Sequence, residues 1–101
     1  MAIDLFCYLA ENHGEAQEKI LRLRDEHSDL FPGYFWLSDA MEVSAIGKKI
    51  ASEYGFNACS RFLMHLNRKD QADRMEEVEN IVRNVFGEEN ILILWENELK
   101  H

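Results

Sequence analysis

The residues best suited to chemistry are carboxylates gathered toward the C-terminal end: Asp70, Asp73, Glu76, Glu77, Glu79, the adjacent pair Glu88 and Glu89, and Glu96 with Glu98. From Asp70 to His101 nine carboxylates stand against three Lys or Arg, a net of -6, whereas Met1 to Lys69 nets only -2. Two carboxylates on one face can hold a metal ion or divide the roles of general acid and base. Helical neighbours point about 100° apart, so Glu76 and Glu77 make a poor pair. Asp70 with Asp73, and Asp73 with Glu76 or Glu77, do share a face. Acids in a first helical turn also suit the positive end of the helix dipole, which accounts for Asp70 and Asp73 without any function. That account fades by Glu76, Glu77 and Glu79, whose like charges are unfavourable unless something compensates; a solvated helix face and an interaction surface both fit them.

Histidine and cysteine offer less. His13, His27, His65 and His101 include no pair at helical i,i+4 spacing, and there is no Cys-x-x-Cys, so no metal is expected. Cys7 and Cys59 lie in apolar stretches and read as reduced, buried thiols. Cys59 and His65 share a strand face by parity, but six residues of strand hold them about 20 Å apart. Cys7 and His65 would form a nucleophile and base only if their strands paired in the right register. Glycines 14, 33, 47, 55 and 87 are isolated and form no phosphate loop, so no cofactor is expected and no catalytic residue is assigned. Nucleic acid is disfavoured as a partner, because the one basic cluster, Arg61 with Arg68 and Lys69, is followed at once by acids and binding a polyanion rests on cations.

The other candidate is aromatic. Phe31, Tyr34, Phe35 and Trp36 fall within six positions. Strand alternation puts Tyr34 and Trp36 on one side and Phe35 and Leu37 on the other. If the first side is open to solvent, Tyr34 and Trp36 are anchors of the kind enriched at binding hot spots.

These groups must be positioned by elements whose hydrophobic periods alternate. Residues 3–9 read as a strand with one apolar face (Ile3, Leu5, Cys7, Leu9). A helix over about 13–27 starts at the Asn12/Glu15 capping pattern and carries Ala16, Ile20 and Leu23. Phe31-Pro32-Gly33 is a turn before a short strand at 34–37. Asp39 and Glu42 form a second capping pattern, so the next helix is expected to follow Asp39, with a stripe of Val43, Ile46, Ile50 and Tyr54 and a stop at Gly55. Gly47 sits inside it, where it suits close approach to a neighbour. Residues 57–66 alternate as a strand. Asp70 to Phe86 is a helix with Met75, Val78, Val82, Val85 and Phe86 inward, ended by Gly87. The unbroken run Ile91 to Trp95 reads as a central strand buried on both faces. The order β-α-β-α-β-α-β predicts an α/β or α+β sandwich of two or three layers, with three helices on a four-stranded sheet. Strand order and the balance of parallel and antiparallel pairing stay open.

One hundred and one residues, 47% apolar and 30% charged, make one globular domain spanning 1–101 that can bury a core without disulfides or metals. The start lacks a signal peptide's basic region and no apolar run approaches the ~20 residues of a membrane span. A cytoplasmic protein is expected.

In size, acidity and lack of catalytic chemistry the chain resembles bacterial immunity proteins, such as those of contact-dependent growth inhibition systems. The resemblance is one of overall character and transfers no residue. It implies a non-enzymatic inhibitor, monomeric or weakly dimeric, that binds a basic protein partner, a toxin or nuclease domain, and neither nucleic acid nor membrane. Partner contacts are expected at Asp73, Glu76, Glu77, Glu79, Tyr34 and Trp36, from charge density and aromatic exposure. The competing readings are a ferredoxin-like or ACT-like ligand-binding or enzymatic module and a regulatory adaptor subunit.

Overall fold

The computed structural model describes residues 3–31, 33, 35–66 and 74–95. Eight elements follow one another: β1 (Ile3–Leu9), α1 (His13–Glu26), β2 (Phe35–Leu37), β3 (Met41–Glu42), α2 (Ala45–Glu53), β4 (Ser60–Leu66), α3 (Met75–Phe86) and β5 (Ile91–Trp95). The sheet order is β2-β4-β1-β5, with β3 also on β4, and every pairing is antiparallel.

The fold is therefore α+β with five strands rather than four. The difference lies in one edge. Leu37 pairs with Met64 and Met41 with Arg61, so three residues on the edge face two on β4, the signature of a bulge. Ser38 seals the gap, its N–H donating to the Leu63 carbonyl at 2.9 Å and its hydroxyl accepting from the Leu63 N–H at 2.8 Å. Asp39 does not cap a helix. It accepts from Gln17 Nε2 at 3.1 Å and lies 3.6 Å from the Arg24 guanidinium, which ties the bulge to α1. Ser44 caps α2 instead, accepting from the Gly47 N–H at 3.1 Å.

Strand parity divides the core in two. Leu5, Cys7, Leu9, Phe62, Met64, Leu66, Phe35, Leu37, Ile91 and Ile93 face α1 and α3. The opposite face carries Phe6, Tyr8, Leu92 and Leu94 under Val43, Ala51 and Ala58, with α2 above them. The molecule is a three-layer sandwich. Burial on both faces is what the continuous run of β5 reports, yet β5 is an edge strand, because β1 has β4 on its other side.

Helix α1 starts at Asn12, whose side chain accepts from the Glu15 N–H at 2.9 Å. In α3, burying Met75, Val78, Val82 and Phe86 is worth about 1.5–3 kcal/mol for each large side chain, against a few tenths for an exposed ion pair. Packing therefore decides its position, and the Phe86 ring stacks on Phe62 at 5.5 Å. Helix α2 uses a different face from the expected one. Val43 precedes it, Ile46 is 73% exposed, Tyr54 is exposed, and Gly47 and Ala51 turn inward. A Cβ at Gly47 would lie 2.7 Å from Val43 Cγ2 and 3.4 Å from the Tyr8 ring, so glycine lets the helix seat on the sheet. Gly87 ends α3 at φ 93° and ψ 129°, a region essentially reserved for glycine.

Two substitutions probe this packing. Val82→Asp places an unpaired charge at a fully buried position and should abolish cooperative thermal unfolding followed by circular dichroism. Gly87→Ala should lower stability by about 1–3 kcal/mol in chemical denaturation without changing the secondary structure.

Candidate protein-binding surface

The α1–α3 layer presents exposed carboxylates to solvent at Glu15, Glu18, Asp25, Glu26, Glu76 and Glu77, with Glu88 and Glu89 in the turn after α3. Four of its cations are engaged with acids, while Arg22 is exposed with no ion pair among the described residues. Lys19 lies 3.0 Å from Glu11, Arg24 3.6 Å from Asp39, Arg74 3.3 Å from Glu77 and Arg83 3.3 Å from Glu79. Of the expected contact residues, Glu76 is exposed with no ion pair among the described residues. Glu77 is exposed but shares Arg74. Glu79 is half-buried and bonded to Arg83, so its charge is largely spent inside the layer. Asp73 and Tyr34 lie outside the described residues.

Trp36 is 44% exposed, but the structure sets it apart from the acids. Phe35 and Leu37 enter the α1–α3 core, so alternation turns Trp36 to the opposite, α2-bearing face. There it stands beside His65, which in turn faces Asp4 across β4 and β1. His65 Nδ1 and Asp4 Oδ1 are hydrogen-bonded. The row Trp36–His65–Asp4 marks the end of the sheet that α2 leaves half open. Met41, 39% exposed, pairs with Arg61 farther along the same face.

The nucleophile-and-base arrangement fails on register. Strands β1 and β4 do pair, but Cys7 faces Phe62 and His65 faces Asp4, so Cys7 and His65 project from opposite sides of the sheet. Burial, reinforced by the nearby Glu79 charge, pushes the Cys7 thiol far above its ordinary range, which leaves it protonated and inert. Cys59 is exposed and also free, contrary to its expected burial. It precedes β4 rather than lying within it, its N–H donating to the Leu9 carbonyl at 2.7 Å. Among the described residues no three His, Cys, Asp or Glu side chains gather as metal ligands, and no helix is long and apolar enough to cross a membrane.

The arrangement is thus an exposed acidic layer, a half-open face bearing Trp36, and no assembled reaction centre among the described residues. Residues 1–99 match the family model described as CDI System Immunity Component. The chain belongs to that family. This immunity component is 42% identical over 100 residues to Immunity protein CdiI-2 of Burkholderia pseudomallei strain 1026b, with 99% of each chain covered. It also superposes on a chain of a CdiA-CT/CdiI toxin and immunity complex from Burkholderia pseudomallei with a TM-score of 0.90 and 41% identity, over 94% of this chain and 92% of the other. Membership places the chain among toxin inhibitors rather than enzymes.

Sequence reasoning missed Arg61, Ile46 and Met41 on the α2 face. For Arg61 the signal lies in the alternation of 57–66, which sets Arg61, Leu63 and His65 on one face; Met41 and Ile46 carry no such signal. A thiol reagent such as Ellman's should titrate one cysteine, Cys59, in the native immunity component and two in denaturant; two reactive thiols in the native state would contradict the burial of Cys7.

Proposed function

We propose that this immunity component binds and neutralises a CdiA-CT-type toxin in the cytoplasm, as a monomer or weak homodimer, and that the toxin domain is basic, in the manner of a nuclease. What carries the reading is the relationship to the immunity chain of a toxin and immunity complex over nearly its whole length. The charge supports its finer part. The chain carries a net of -8, and α3 with the following turn leaves Glu76, Glu77, Glu88 and Glu89 at the surface. An enzyme that holds a polyanionic substrate must present cations, and an inhibitor that covers them gains from a dense carboxylate surface. Such complementarity steers encounter and speeds association. Glu76 and Glu77, with Asp73 beside them in sequence, are proposed as toxin contacts. Glu79 is proposed to act through Arg83, holding the outer face of α3 in place. Trp36, with Tyr34 two residues before it in sequence, is proposed as a hydrophobic anchor. The immunity component needs no chemistry of its own for this task.

The test is co-purification and titration with the C-terminal toxin domain from the same locus, at low and high salt, with toxin activity read in the complex. A stoichiometric, inactive complex is expected. Glu76→Lys with Glu77→Lys should leave the fold intact, slow association about tenfold or more at low salt and flatten its salt dependence. Unchanged association would remove α3 from the interface; no complex with the wild-type protein would overturn the function itself.

A further inference from the structure

A groove of about 190 Å³ lies between α2 and the second face of the sheet, lined by Phe6, Tyr8, Ser44, Ile46, Ile50 and Arg61. Four observations give it a chemistry. Arg61 makes no hydrogen bond or ion pair among the described residues, and its Nε is buried without a partner. Lys19, Arg24, Arg74 and Arg83 each lie within 4.0 Å of a carboxylate, and Arg22, Lys48 and Lys49, which have no such partner among the described residues, are exposed to water. A buried donor left unpaired is costly, and the cost is recovered when an acceptor arrives. The first turn of α2, at Ser44 and Ile46, brings the positive end of a helix dipole to the same rim. Burial raises the Tyr8 phenol above its ordinary value, although Arg61 pulls the other way, so Tyr8 adds a neutral hydroxyl rather than a competing anion. Phe6, Ile46 and Ile50 supply apolar walls beside the guanidinium.

The volume selects the occupant. Small-molecule sites run to about 300–1,000 Å³, so this groove suits one side chain delivered by a protein. Around it, Ile46, Met41 and Trp36 are exposed on the same face, the apolar ring expected about a hot spot. We propose that Arg61 receives one Asp or Glu side chain of the toxin, seated in this groove. The proposal rests on the toxin-binding function given above. It is compatible with contacts at α3, because a standard interface of about 800 Å² per partner is roughly 28 Å across and the molecule is 19 Å in its shortest dimension.

The experiment titrates the purified toxin domain with the wild-type chain, Arg61→Gln, Arg61→Lys and Ile46→Asp, after thermal melts establish which variants fold. Ile46 is exposed, and an acid there suits the helix start, so Ile46→Asp keeps the test alive if Arg61→Gln does not fold. Arg61→Gln should weaken binding about 30-fold or more, chiefly through faster dissociation, and Ile46→Asp about tenfold or more by like-charge repulsion. Arg61→Lys should recover only part of the loss, since its ammonium lacks the guanidinium fork. Alanine substitution of toxin Asp and Glu residues should find one whose loss weakens the wild-type complex but not the Arg61→Gln complex. Wild-type affinity in both Arg61→Gln and Ile46→Asp would overturn the groove while leaving the proposed function standing. Failure of the wild-type chain to bind would instead remove the function and the groove together. Self-association lost in Arg61→Gln, with toxin affinity unchanged, would show that a second copy fills the groove and overturn the toxin assignment.

Discussion

The register between β1 and β4 is the constraint on which everything else depends. Seven consecutive residues of each strand pair, from Ile3 with Leu66 to Leu9 with Ser60. Because side chains alternate with a period of two, this register decides what each layer contains. A one-residue slip of β4 would turn Arg61, Leu63 and His65 into the α1–α3 core and put Phe62, Met64 and Leu66 under α2. The hydrophobic pattern forbids that, since two polar heads would lose water without partners. The Asp4–His65 pair reinforces the chosen register from the open face, where it is half in contact with solvent. It holds the end of the sheet that lacks a covering helix.

Parity then sets the electrostatics of the surface. On the α1–α3 side Lys19, Arg24, Arg74 and Arg83 are matched to neighbouring acids, and apart from Arg22 what remains unpaired among the described residues is carboxylate. On the α2 side Lys48 and Lys49 are exposed and Arg61 is left without a carboxylate. A chain with 19 acids and 11 bases thus has two unlike faces, separated by the thickness of the sheet. The uniform acidity suggested by composition misses this division, because net charge says nothing of which strand face a cation occupies.

Local signals were legible and long-range ones were not. The bounds of β1, the start of α1 at Asn12, the stripe of α3 and the alternation of 57–66 all follow from periods and caps that act within a few residues. The second helix misled for a physical reason. Asp39 and Glu42 have capping spacing, but Asp39 is drawn to Gln17 and Arg24 of α1, and the segment is pulled into the sheet as β3 beyond the Ser38 bulge. The buried face of α2 is made of Gly47 and Ala51, which carry little hydrophobic signal, so the larger Ile46 and Tyr54 were placed inward although they are exposed. The run of β5 reported its two-sided burial, but edge or centre depends on where β4 goes, and that contact is distant in sequence. Of the contact candidates, spacing could not show that Glu79 is occupied by Arg83, nor that Trp36 and α3 stand on opposite faces.

An inhibitor of this kind is built by making its own interior inert and its surface incomplete. The buried thiol of Cys7 is sealed among Phe62 and the α3 stripe, where desolvation keeps its proton in place. The stabilising work falls on large apolar side chains buried against both faces of the sheet, so surface charges can be chosen with little regard to folding. That freedom accounts for adjacent acids such as Glu76 and Glu77, or Glu88 and Glu89, whose repulsion costs the isolated chain and is relieved within it only in part, by Arg74 beside Glu77; the proposed basic partner would relieve the rest. It accounts equally for Arg61, whose buried Nε is unsatisfied in the free chain. The two departures from self-sufficiency have opposite sign and opposite placement. The proposed partner would present an anion within a largely cationic surface, a harder match for an unrelated basic protein than a uniformly acidic face would demand.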